Sequence, residues 1–130
     1  MEIDDPMLRP ILVANPAIRP KVEALAADVD LRFAAKETAD LAVGRARGEK
    51  DRTLVDRGAF LIGEANARRQ PDPVRKAEYD DAVKRADAAL AKSQDRVTAA
   101  HNAFMTAREI RDACFAYLVA NTKRENADDY

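Results

Sequence analysis

The chain has 130 residues, 35% of them charged, with 22 Lys plus Arg against 23 Asp plus Glu and a formal net charge of -1. That balance removes the cationic excess which gathers nucleic acid or an anionic membrane without specificity. Hydrophobic residues make up 47%, but 27 residues are alanine, aromatics are 5% and Trp is absent, a composition against β-sandwiches, barrels and glycine-rich nucleotide folds and in favour of long helices.

At the start, Met1-Glu2-Ile3-Asp4-Asp5-Pro6 is acidic and proline-interrupted where a secretory signal needs a basic, then apolar, run, so no signal is expected. Residues 5–14 (DPMLRPILVA) and 15–24 (NPAIRPKVEA) form a ten-residue repeat. Each copy offers an Asp or Asn cap, a Pro, one helical or 3-10 turn, and a second Pro expected to stop it. Residues 1–19 therefore read as an apolar, proline-containing arm. Its apolar side chains are too many for a solvated tail, and the candidates for docking on a partner, or on the chain's own far end, are Met7, Leu8, Ile11, Leu12 and Ile18.

A helix of about residues 20–69 follows, opened by Pro20, with Val22, Leu25, Val29 and Phe33 on one side. All four glycines, at 44, 48, 58 and 63, lie in it. A break in the polar stretch 44–53 would turn the fold into a three-helix bundle. The turn Gln70-Pro71-Asp72-Pro73 comes next, Asp72 serving as N-cap and Pro73 as first helical residue.

No proline or glycine occurs from Val74 to Tyr130, so the second helix is expected over about 73–121, roughly 70 Å long. Tyr79, Val83, Ala86, Leu90, Ser93, Val97, Ala100, Phe104 and Ala107 recur at alternating four and three, a coiled-coil seam with shallow Ala and Ser knobs. Asp80 with Lys84 and Asp81 with Arg85 are spaced for i,i+4 pairs. If the helices run antiparallel from that turn, residue i faces about 142 minus i, which sets Gly63 against Tyr79 and Gly58 near Val83. Small would then face large along the hairpin. Residues 113–120 are apolar around the whole helix, so Phe115, Leu118 and Val119 are further partner-binding candidates. Residues 123–130 read as a polar tail. No apolar stretch approaches the roughly 20 residues of a membrane span, and no membrane partner is expected.

Catalytic chemistry finds little footing. One histidine, His101, provides no zinc pair and no Ser-His-Asp set, and the lone Cys114 supports neither an internal disulfide nor a metal-binding Cys pair. Glu37-x-x-Asp40 and Glu109-x-x-Asp112 have the spacing of helical magnesium ligands, giving a metal-dependent nucleotide pyrophosphatase as a minor alternative, but Glu2, Glu78 and Glu125 are also followed by Asp at the third place. The pattern is generic in this chain. Arg68, Arg69, Arg75 and Lys76 gather at the turn as an anion-binding candidate, readable also as cations favouring a helix C-terminus.

The sequence thus reads as an all-α, long antiparallel helical hairpin with a proline-rich arm. The expected role is non-catalytic, a structural or assembly protein without metal or cofactor that associates with itself or with other subunits. A bacteriophage neck, tail or capsid-associated component is one version, located in the cytoplasm or in a particle assembled there. The alternative is an adaptor that binds nucleic acid or an acidic partner through the basic tip.

Overall fold

A computed structural model describes residue 6 and residues 8–128, with side chains as far as residue 121. Met7 lies outside the described residues. The described residues form α1 (Arg9–Ala14), a 3-10 turn (Pro16–Ile18), α2 (Arg19–Asn66) and α3 (Pro73–Asp128), and no strand. The fold is an all-α helical hairpin. α2 is continuous through 44–53, so the three-helix alternative does not hold. Its polar stretch is rich in Arg, Glu, Lys and Ala, good helix formers that outweigh two glycines. α3 runs beyond residue 121 to Asp128 because Thr122–Asp128 contains no breaker.

The second proline of each repeat starts a helix and does not stop one. Pro10 lies in the first turn of α1, and Pro20 in that of α2, positions where a missing N–H costs no hydrogen bond.

The hairpin comprises two compact units. One contains residues 37–99 and the other the residues on either side. In the flanking unit the buried side chains are Leu8, Ile11, Leu12, Val22, Ala26, Val29 and Ala107. Leu8 is fully buried, and Leu8, Ile11 and Leu12 share one helical face, being three and four residues apart. Leu8, Ile11 and Leu12 are thus buried within their own chain. Burying large aliphatic side chains stabilises by about 1.5–3 kcal/mol each, which explains why α1 folds back where it does. Phe33 packs its ring 5.5 Å from that of Phe104, and the Lys36 ammonium lies 5.8 Å from the same Phe104 ring.

In the 37–99 unit, Phe60 is the one buried apolar side chain, stacked on Tyr79 at 4.8 Å. Two ion pairs cross between the helices, Lys50 with Asp87 at 2.8 Å and Arg57 with Asp80 at 2.7 Å. They are one heptad apart on both helices, so a slip by a single turn breaks both. Asp80 is thus engaged across the hairpin by Arg57 rather than by Lys84 as the spacing suggested. All nine seam residues of α3 expected from the periodicity are buried or half-buried.

The register differs from the expectation. These pairs place residue i of α2 opposite roughly 137 minus i, five residues from 142 minus i. Tyr79 faces Phe60, not Gly63, and a Cβ built at any of the four glycines meets nothing within 4 Å. Large therefore faces large, and the glycines are not making room for α3. The cause is the end of α2. Arg69 N–H donates to Glu64 C=O and Arg68 N–H to Ala65 C=O, at 3.0 Å each, the 6→1 and 5→2 bonds of a Schellman motif. Arg68 occupies its left-handed position with φ 55°. α2 consequently ends three residues earlier than expected, and α3 starts at Pro73 with Asp72 Oδ1 accepting the Val74 N–H at 3.0 Å. Asp72 is the N-cap that the sequence indicated.

Candidate functional site

The turn provides the first candidate. Arg69 is held by Glu64, Nε to Oε2 at 3.3 Å, and the Glu64 side chain is buried. Arg75 lies 4.9 Å above the Phe60 ring. Two of the four tip cations are therefore occupied in closing the hairpin, and Arg68 is committed through its backbone. This geometry accounts for the cluster by helix termination and aromatic packing, with Lys76 adding its charge near Asp80. The hydrogen bond from Arg57 holds the Asp80 carboxyl below the usual aspartate value. Desolvation opposes this, and the positive charges of Arg57, Lys76 and Lys84 reinforce it.

Among the described residues no group of three or more His, Cys, Asp or Glu side chains gathers as a metal ligand set. Asp40 lines an open groove with Val43, Arg47, Gln94, Val97 and Thr98. Asp112 is paired with Arg111 at 3.0 Å and with Arg108 at 3.9 Å. His101 and Glu109 are exposed, and Cys114 is a half-buried free thiol. No buried side-chain polar atom among the described residues lacks a hydrogen-bond partner.

Of the remaining interaction candidates, Ile18, Phe115, Leu118 and Val119 are half-buried, whereas Tyr117 beside them is exposed. No helix of the described residues is long and apolar enough to cross a membrane.

The less obvious candidate is α2 itself within the 37–99 unit. Val43, Ala46, Lys50, Thr53, Arg57, Phe60 and Glu64 recur at three and four and are buried or half-buried, marking the face turned to α3. Leu41, Gly44, Gly48, Asp51, Val55, Gly58 and Ile62 repeat the same spacing two residues earlier, about 200° around the helix. They occupy the opposite face. Leu41, Val55 and Ile62 are 65%, 69% and 63% exposed, and Gly44, Gly48 and Gly58 present open space beside them. Apolar side chains therefore sit on two sides of α2 in this unit. This stripe was within reach of the sequence, since Leu41, Val55 and Ile62 are fourteen and seven residues apart. Lys50, Arg57 and Glu64 were not, because charged residues at seam positions look like solvent-facing ones until the partner helix is in place.

Comparison with known proteins finds no family model, no curated relative and no solved structure that matches the chain.

Proposed function

We propose that the chain is a non-catalytic structural or assembly protein, completed by other protein surfaces. The observation that carries this reading is the second apolar face of α2, which α3 leaves uncovered in the 37–99 unit. Leu41, Val55 and Ile62 lie along one side of one helix at multiples of seven residues, with glycines and Asp51 between them. A subunit of a larger particle, such as a phage neck, tail or capsid-associated component, is one concrete form of it. The adaptor reading has less support, since Arg69 and Arg75 are engaged within the hairpin.

Sedimentation velocity and native mass spectrometry of the full chain over a concentration series test the proposal, alongside magnesium and manganese titrations with nucleoside triphosphates. Association into a defined species without nucleotide turnover is the expected result. Metal-dependent triphosphate hydrolysis by a chain that stays monomeric would overturn it.

A further inference from the structure

We infer that α3 carries a second seam, residues 103–120 of the flanking unit, which pairs antiparallel with the same seam of a second copy. This rests on the assembly reading and names an occupant for it.

Ala103, Thr106, Ile110, Ala113, Tyr117 and Ala120 recur at alternating three and four, the spacing of a helix-packing face. All but the half-buried Ala103 are exposed, Ile110 by 52% and Tyr117 by 66%. At 100° per residue the seam lies roughly 115° around α3 from the face holding Phe104, Ala107 and Leu118, so α2 does not stand over it. It forms one side of a groove. Asn102, Ala103, Thr106, Ala107 and Ile110 line that groove from α3, and Asp28 with Arg32 line it from α2.

Charge selects the occupant. None of the six seam residues is charged, and Asp28 and Arg32 neutralise one another at 3.4 Å on the far wall. Of the four charged residues between 102 and 121, Arg108, Arg111 and Asp112 lie away from the seam, where Asp112 pairs with both arginines. One edge of the seam is Ala107, Cys114 and Asn121, and the other is Asn102, Glu109 and Ala116. The surface therefore suits a neutral, apolar helix face, and a second copy of itself is one.

Size selects the direction. Paired antiparallel about the point between Arg111 and Asp112, residue i meets 223 minus i of the second copy, which sets Tyr117 against Thr106 and Ile110 against Ala113. Each large side chain meets a small one, and Glu109 comes beside Ala116, so no like charges meet. Parallel pairing would stack Ile110 on Ile110 and Tyr117 on Tyr117 with Ala113 on Ala113 between them. Bulky layers would then hold the helices apart and leave voids at the alanines, against the close packing of protein interfaces.

The test is made on the full chain by sedimentation equilibrium. Ala113→Glu, an exposed position in the monomer, buries a carboxylate against Ile110 of the second copy and is expected to weaken the dimer by about tenfold or more. Direction is read in a Cys114→Ser background by mixing Ala103→Cys and Ala120→Cys chains, which should form the mixed disulfide, because these positions meet only in the antiparallel arrangement. A dimer indifferent to Ala113→Glu, or one crosslinked only between same-numbered cysteines, overturns the inference while assembly stands. A chain monomeric at every concentration overturns it and leaves the assembly reading to other subunits, and only triphosphate hydrolysis by that monomer overturns both. Circular dichroism of each variant establishes that the helices are retained.

Discussion

Replacing helix glycines with alanine separates two accounts of this hairpin by sign. The expected register set Gly63 against Tyr79, where an added methyl would overpack the seam and destabilise by about 1–3 kcal/mol. The observed register puts Phe60 there and leaves open space beside Gly63. Gly63→Ala should therefore stabilise by about 0.5–1 kcal/mol, the ordinary helix-interior difference. Gly44→Ala should do the same, and the two lie nineteen residues apart, roughly 28 Å along the helix, so their effects should add to about 1–2 kcal/mol. For a chain of this length that is a rise in Tm of about 4–8 °C for the pair. Thermal and urea unfolding followed by circular dichroism at 222 nm, at low protein concentration so that self-association does not contribute, measures it. A fall in Tm for Gly63→Ala would refute the register and, with it, the claim that α3 makes no use of the glycines.

Three further outcomes follow from the turn and the seam. Arg68→Gly should stabilise by about 0.5–1 kcal/mol, because relief of the left-handed strain at φ 55° outweighs glycine's extra unfolded-state freedom; urea midpoints give the sign. Phe60→Ala should destabilise by about 3–5 kcal/mol, and a double-mutant cycle with Tyr79→Ala should return a coupling of about 0.5–1.5 kcal/mol for the stacked rings. The Asp80 carboxyl titrates below its unfolded value, so its contribution is present above the ordinary aspartate pKa and is lost as pH falls through the folded one. The Tm difference between the native chain and Asp80→Asn should accordingly favour the native chain at neutral pH and shrink on acidification, and a difference independent of pH would contradict the Arg57 contact.

The arm shows why an unshielded surface does not identify its own cover. Composition says that Leu8, Ile11 and Leu12 must leave water, since prolines keep the segment from building a core alone. Whether they enter another subunit or their own chain depends on which apolar surface is nearest in space, and that is tertiary information. In this molecule they are buried with Val22, Ala26, Val29 and Ala107. The candidate surface then moves from the arm to the outer face of α2, whose glycines were expected to face α3.

Much of the hairpin is local in origin and therefore written in the chain. A breaker-free run with three-four periodicity makes α3 and its packing face, Asp72 and Pro73 start it, and alanine, arginine and glutamate carry α2 through two glycines, because each of these is a property of a residue and its neighbours within a turn or two. Register is another matter. It depends on where α2 closes, and α2 closes on Arg68 in a conformation that sequence assigns to glycine, since the 6→1 and 5→2 backbone bonds and the buried Glu64 with Arg69 outweigh the strain. Only once that turn is in place do Lys50 and Arg57 find Asp87 and Asp80 and become seam residues, and only then is it settled which side of α2 is left facing out.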